Sequence, residues 1–339
     1  MSKKDKNFYK RGTRKFDVGD YQGAIDDYSK AIEIDPENPE IYISRARSKN
    51  LLKYYQGAID DYSKAIELDP ENPEIYIFRA HCKWHYAIVD QGDYQGAIDD
   101  CSKAIELDPK DPQIFIDRAE LKIFLKDDRG YRGAIHDYSK AIELDPKDPQ
   151  IFIDRAVVKS CLMNHQGAID DYSKAIELDP ENPEIYIKRG NIKTHSSISD
   201  YQGAIDDYSK AIELDPKNPE IYIKRGKIKE RSSISDNSDI QGAIDDYSKA
   251  LELTTHETDK KEILELRSKA IELDPKDPRT FIERAECKIL LKDFQGAIDD
   301  CSKALELSTH ETDKKEILEL RSKAYQVLSK IDLDNSQSL

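Results

Sequence analysis

The chain has 339 residues, a formal net charge of −15, and 36% charged against 38% hydrophobic residues. That length exceeds what one ordinary core serves, and so polar a composition suits several domains or a thin repeat array with much surface per residue. The negative balance excludes generic binding to nucleic-acid backbones or anionic membranes, both of which need a positive field. No apolar run approaches the ~18 residues of a membrane span. The basic Met1–Lys6 segment leads into Asn7-Phe8-Tyr9-Lys10-Arg11 and not into an apolar signal segment, so a cytoplasmic location is expected. Five cysteines (Cys82, Cys101, Cys161, Cys287, Cys301), odd in number and never in a C-x-x-C pair, argue against a disulfide framework.

A phrase of the form Gln-Gly-Ala-Ile-Asp-Asp-Tyr-Ser-Lys-Ala-Ile-Glu recurs along the chain. Its first residue falls at Gln22, Gln56, Gln95, Arg132, Gln166, Gln202, Gln241 and Gln295, giving intervals of 34, 39, 37, 34, 36, 39 and 54 residues. Eight units follow in chain order: 5–38, 39–72, 73–111, 112–148, 149–182, 183–218, 219–254 and 278–309. The second unit shows how each is built. Asn38 is placed to cap a helix whose first residue is Pro39, where the missing N–H costs nothing. Tyr42, Ala46 and Lys49 then advance at helical spacing. A second helix follows from about Gln56 to Leu68, with Ala58, Ile59, Tyr62, Ala65 and Ile66 forming an apolar stripe. Asp69-Pro70 ends it, because the residue before proline is pushed out of the α region. One such hairpin cannot bury its own apolar face, so neighbours must stack.

Extra residues fall at the turns inside the hairpins, near Ile88–Asp93, Asp127–Gly130, Ser196–Asp200 and Ser232–Asp239. The two serine-rich turns, Ser196-Ser197-Ile198-Ser199 and Ser232-Ser233-Ile234-Ser235, are readable as modification sites, but tolerated loop slack is the plainer account. A segment Thr-His-Glu-Thr-Asp-Lys-Lys-Glu-Ile-Leu-Glu-Leu-Arg-Ser-Lys-Ala occurs twice, ending at Ala270 and Ala324, as a 54-residue duplication explains. The first copy predicts an inserted helix near 258–273, with Asp259 and Glu262 as a capping pair; the second predicts a capping helix over 310–331, followed by a frayed tail at 332–339.

These units resemble the tetratricopeptide repeat, whose pattern is W-x2-L-G-x2-Y, then A-x3-F, then P. The Trp place is held by Phe8, Tyr42, Tyr76, Phe115, Phe152, Tyr186, Tyr222 and Phe281, and the Gly place by Gly12, Ala46, Ala80, Ala119, Ala156, Gly190, Gly226 and Ala285. The A-x3-F pair runs from Ala24/Tyr28 to Ala297/Cys301, with Cys101 and Cys301 replacing the packed ring as expected core thiols. Two places depart from the family in every unit. Its Leu is Arg (Arg11 to Arg284) and its Tyr is Lys (Lys15 to Lys288), a variant similar to arrays common in bacteria. The resemblance implies an all-α, right-handed α-solenoid of stacked antiparallel helix hairpins.

The stacked Arg and Lys offer two readings: a basic ladder for acidic peptides, or internal neutralisation of the recurrent Asp-Asp pairs such as Asp26/Asp27. The second explains why both halves recur together and is preferred. His81 and His85, at i and i+4, are a conceivable metal pair, but no second ligand cluster accompanies them, and no metal site or cofactor is expected. No nucleophile–base constellation or phosphate-binding glycine loop stands out, so the chain is not expected to be an enzyme.

In the family the first helices line the concave face, which implies where a partner is held. The candidates there vary while the scaffold stays fixed. They are Lys6, Lys10, Thr13, Phe16 and Arg47 in the first two repeats, then Phe78, His81, Trp84 and His85, an aromatic patch with the sole tryptophan. Asp117, Glu120, Ile123 and Asp154 follow, then Lys188, Asn191, Lys224 and Lys227, and last Glu283 and Glu286. The expected role is a non-enzymatic protein-interaction scaffold binding a protein or peptide partner, with a self-associating array or a regulatory protein with a weak metal site as alternatives. One family activity, clamping the acidic C-termini of heat-shock chaperones, needs a lysine where Ile43, Ile77, Ile116, Ile153, Ile187, Ile223 and Ile282 stand. An isolated chaperone C-terminal peptide is therefore expected not to bind in a fluorescence-anisotropy titration, and tight binding would contradict this reading.

Overall fold

The computed structural model describes residues 5–90, 94–195, 197–232, 239–273 and 278–337. Ser196 and Ser233–Ser235 of the serine-rich turns lie outside the described residues. Eighteen α-helices and no strand occur among those described, in two compact units, 1–178 and 179–339. Unit 1 holds α1 (Asp5–Asp17), α2 (Tyr21–Ile34), α3 (Pro39–Leu51), α4 (Tyr55–Leu68), α5 (Pro73–Asp90), α6 (Tyr94–Leu107), α7 (Pro112–Ile123), α8 (Asp128–Leu144), α9 (Pro149–Cys161) and α10 (His165–Leu178). Unit 2 holds α11 (Pro183–Lys193), α12 (Tyr201–Leu214), α13 (Pro219–Ser232), α14 (Ile240–Leu253), α15 (Glu257–Glu272), α16 (Pro278–Leu290), α17 (Phe294–Leu307) and α18 (Glu311–Gln337). Within each unit every helix packs on the next in the chain, as a stack of α-hairpins does.

The helix starts follow from short polar caps. Asn38 accepts from the Glu40 N–H at 3.1 Å with Pro39 at the first helical position, and Asp111, Asp148 and Asn182 repeat the arrangement. The second helices begin differently: Asp20, Asp200 and Asp293 accept from the N–H of Gly23, Gly203 and Gly296. A Cβ on Gly23 would lie 2.1 Å from the Asp20 carboxylate, so the glycine lets the cap close. The turns inside the hairpins close through a left-handed residue, Gly19 in the first and Lys53, Lys126, Met163, Ser199 and Lys292 in others.

Burial is periodic and repeats down each stack. Ala24, Tyr28 and Ala31 of α2 and their counterparts Ala58, Tyr62 and Ala65 of α4 are at most 2% exposed, and Cys101 and Cys301 are fully buried at the ring's place. Where the small residue of the first helix is glycine, it lies against that ring. A Cβ on Gly12 would stand 2.7 Å from Tyr28 and one on Gly190 3.0 Å from Tyr208, while Ala46 and Ala119 are fully buried at the same place in their repeats.

The second aspartate of each Asp-Asp pair is buried, and an Arg–Lys pair four residues apart on the first helix of its own hairpin holds it. Arg45 Nε and Nη2 donate to the Asp61 carboxylate at 2.9 and 2.7 Å, and Lys49 Nζ lies 2.7 Å from Oδ2. The clamp recurs at Asp27, Asp100, Asp137, Asp171, Asp207, Asp246 and Asp300. Arg11 and Lys15 hold the Asp27 carboxyl down to about 2 against the opposing effect of burial. Clamp arginines also reach back one repeat, as Arg45 Nη1 does to Ser29 Oγ at 3.0 Å; Ser63, Ser102, Ser139 and Ser209 likewise accept from Arg79, Arg118, Arg155 and Arg225. The basic ladder is thus consumed internally, as the preferred reading expected, and is no groove for acidic peptides.

Other details differ from the sequence reading. Of the extra residues, Ile88–Asp90 belong to α5, 91–93 lie outside the described residues, and α8 begins at Asp128 with Asp127 as its cap. Helix α15 starts at Glu257, two residues before the expected Asp259 cap, and its N-cap His256 makes no side-chain cap bond. Helix α18 runs to Gln337, past residue 331 where a frayed tail was expected.

Replacing Asp137 with alanine leaves Arg118 and Lys122 facing each other without a carboxylate and is expected to cost about 3 kcal/mol in denaturant unfolding. Glu143→Ala removes only an exposed i,i+3 pair with Lys140 and is expected to stay within about 0.5 kcal/mol of the parent.

Candidate protein-interaction surface

In unit 1 the first helices α1, α3 and α5 interleave rings and a cation. The Arg47 guanidinium is 5.6 Å from the Phe16 ring centroid and 6.0 Å from that of Phe78. Phe78 stacks in turn on the buried Tyr62 at 5.9 Å. Beside them runs a row of five rings: Tyr55, His85, Trp84, Phe124 and Tyr94, with successive centroids 5.6, 5.2, 5.7 and 5.8 Å apart. The Trp84 Nε1 has no hydrogen-bond partner among the described residues.

An acidic patch lies on α7 and α9, and His81 of α5 reaches it. His81 Nε2 lies 3.1 Å from Asp117 Oδ2, and Gln113 Nε2 donates to the other Asp117 oxygen at 2.8 Å. Burial pushes the Glu120 carboxyl above its ordinary range; the charges of Asp117 and Asp154 add to this, and His81 opposes it. Aromatic and basic groups over α1–α5 and carboxylates over α7–α9 make two bands within one unit.

Several expected contact residues are tied to the scaffold. Thr13 donates to the Tyr9 carbonyl at 3.0 Å and accepts from the Tyr28 hydroxyl at 3.4 Å. Asn191 accepts from Tyr208 at 2.9 Å. In unit 2, Lys224 pairs with Glu220 at 3.3 Å and Lys227 with Glu262 at 3.7 Å, both beside a cleft of about 660 Å3 that the α14–α15 turn and α15 help to line. Asn191 and Lys224 also line a smaller cleft of about 150 Å3. Lys188 sits half-buried on α11. Glu283 accepts from Arg267 at 3.3 Å, and burial raises the Glu286 carboxyl, an effect that Arg267 opposes. Lys10 is exposed on α1. The side chain of Lys6 lies outside the described residues.

His81 and His85 are committed to different neighbours, a carboxylate and an aromatic stack, which does not favour a shared metal. Among the described residues no group of three or more His, Cys, Asp or Glu is placed to hold a metal, and no helix is long and apolar enough to cross a membrane. The sequence reading missed Tyr55, Tyr94 and Phe124, because it confined the site to first helices. The recurrence of tyrosine at the start of the second helices (Tyr21, Tyr55, Tyr94, Tyr201) was the available signal.

Hairpins of this length, a small residue against a ring, and prolines at helix starts define a helical repeat protein. Family models described as TPR repeat match residues 12–47, 52–80, 164–193 and 197–232, and one described as tetratricopeptide repeat matches 89–111. The stretches between and after these matches carry the same clamp at Asp137, Asp246 and Asp300. The matched stretches are tetratricopeptide repeats, and the eighteen helices among the described residues are consistent with about eight repeats in all. It is similar in fold to the C-terminal part of a TPR repeat-containing protein from Cytophaga hutchinsonii, with TM-score 0.55, 20% identity, and coverage of 80% of this chain and 97% of that one. It is also similar to a tetratricopeptide repeat protein from Parabacteroides merdae, with TM-score 0.50, 19% identity, and coverage of 78% and 99%. Comparison with curated proteins finds no match.

The acidic patch is testable by itself. In a carboxyl NMR titration Glu120 is expected to titrate above the usual ~4.3. Asp154→Asn should lower its midpoint and His81→Ala should raise it; no response to either substitution would refute the patch.

Proposed function

We propose that the chain is a non-enzymatic protein-interaction scaffold, and that the first-helix face of unit 1 holds a segment of a partner protein. The observation that carries this reading is the interleaving of Phe16, Arg47 and Phe78 from three different first helices, beside a row of rings containing Trp84. Arg47 and His85 are exposed, while the recurrent arginines and lysines of the same helices are spent on buried aspartates. Clustered aromatic and arginine side chains are the groups that dominate binding energy at protein interfaces. The two bands suit an extended or helical segment whose apolar and acidic groups meet Arg47 and the rings, and whose basic groups meet Asp117, Glu120 and Asp154. Lys188, Asn191, Lys224 and Lys227 of unit 2, and Glu283 and Glu286, are proposed as lesser contacts, because several of them already have partners within the chain.

The tryptophan is the only one, so its emission reports on this face directly. A crosslinking pull-down from the native host supplies the partner. Arg47→Glu and Trp84→Ala are then expected to weaken its capture by at least about tenfold with helicity intact, and partner addition to the parent should shift the Trp84 emission. Because Trp84 packs on Phe124, the exposed Arg47 serves as the variant that leaves the fold untouched. Capture unchanged by both, with no emission shift, would sink the assignment.

A further inference from the structure

At joints between repeats a first-helix ring closes over the turn. The hydroxyls of the buried Tyr76, Tyr186 and Tyr222 donate to the carbonyls of Pro70, Pro180 and Pro216, each at 3.2 Å. The joint between α14 and α15 has neither partner: Thr254-Thr255-His256 replaces the proline turn, and α15 carries no aromatic residue. A cleft of about 570 Å3 lies there, between the end of α14, the start of α15 and the end of α16. Its apolar wall is wholly aliphatic, made of Leu251, Leu264, Leu290 and Leu291. Leu264 is buried, Leu251 and Leu291 are half-buried, and Leu290, 61% exposed, borders the solvent. The rest of the lining is charged: Glu257, Lys260, Lys261 and Lys292. Glu257 pairs with Lys260 at 3.0 Å, and Lys261 stands 3.9 Å from Glu265, both of them exposed. Lysine therefore outnumbers carboxylate three to one on the lining of this cleft, in a chain whose net charge is −15. The duplicated Glu311, Lys314, Lys315 and Leu318 border a cleft of about 480 Å3 too, but its other walls are polar and nothing there answers Leu290 and Leu291.

We propose that this cleft binds a single-chain anionic amphiphile, with an aliphatic tail among the four leucines and a carboxylate head at Lys261 and Lys292. The lining selects that class. It has no hydroxyl, amide or aromatic side chain. A peptide would bury N–H and C=O groups against it without side-chain partners, which is costly, whereas a hydrocarbon tail asks for none. Leucines and the methylene stems of the lysines supply continuous aliphatic surface, while the ammonium groups stay at the mouth in water. The head meets cations there, since the exposed pairs of Lys260 and Lys261 hold them only weakly. The size falls within the range of small-molecule clefts, about 300–1,000 Å3.

Isothermal titration calorimetry of the full chain with octanoate, decanoate and dodecanoate, each below its micelle concentration, should show one site per chain. Affinity should rise about tenfold with each added pair of methylenes. Dodecyltrimethylammonium, with the same tail and the opposite head, should bind at least about tenfold more weakly than dodecanoate. Lys261→Glu combined with Lys292→Glu should reverse that preference; both side chains are exposed, so the fold is kept. Leu290→Asp should weaken dodecanoate about tenfold, and Leu318→Asp, at the duplicated cleft, should leave it unchanged. No binding of dodecanoate, equal affinity for the two heads, or binding indifferent to Leu290→Asp and to the double glutamate variant would each overturn the proposal. So would capture by phosphatidylglycerol vesicles with none of free dodecanoate, which would make the surface a membrane contact.

Discussion

The buried carboxylate of each second helix is the constraint on which the rest of the structure depends. An aspartate at 0% exposure, as at Asp137, must have its charge met within the protein, because an unpaired buried carboxylate costs several kcal/mol. Arg118 and Lys122 meet it from the first helix of the same hairpin, and Arg118 Nη1 reaches back to Ser102 of the preceding repeat at 3.0 Å. One guanidinium thereby fixes the pitch of its own hairpin and the stagger between repeats. The planar fork explains why arginine holds this place in all eight units, and the lysine, a point charge, also finds a backbone carbonyl near the start of the second helix, as Lys49 does at Gly57.

This arrangement also decides what remains for recognition. Once the recurrent cations are spent inside, the outward chemistry of the first helices rests on the residues that vary. In unit 1 those residues sort into an aromatic and basic band and an acidic band, and neighbouring helices put members of each in contact. In unit 2 the added helix α15 brings Glu262 against Lys227 and Arg267 against Glu283, so part of the variable charge there is satisfied within the chain.

Most of the fold was legible in the sequence, because caps, prolines and apolar spacing recur eight times and correct one another. The Asn38-Pro39 start and the buried Ala58, Tyr62 and Ala65 stand where the residues placed them. Helix ends were less legible where a repeat departs from its siblings. The charged start of α15 offers several capping candidates within three residues, and only packing on α14 selects among them. The site was half legible. Variation along the first helices pointed to Arg47, Phe78 and Trp84, yet Phe124 and the tyrosines that complete the ring row come from turns and second helices, and their convergence is a tertiary fact. Thr13 and Asn191 misled for a related reason: a position that varies on the surface side can vary to suit a tyrosine hydroxyl of its own hairpin.

The central claim, that the Arg–Asp clamp holds hairpin and stack together, is tested most directly by a double-mutant cycle on Arg118 and Asp137 followed by denaturant unfolding. With Arg118→Met, Asp137→Asn and the double variant, the account predicts a coupling energy of about 2 kcal/mol or more, each single change being far costlier than its increment in the double variant. A coupling below about 0.5 kcal/mol, the range of an exposed surface pair, would contradict it.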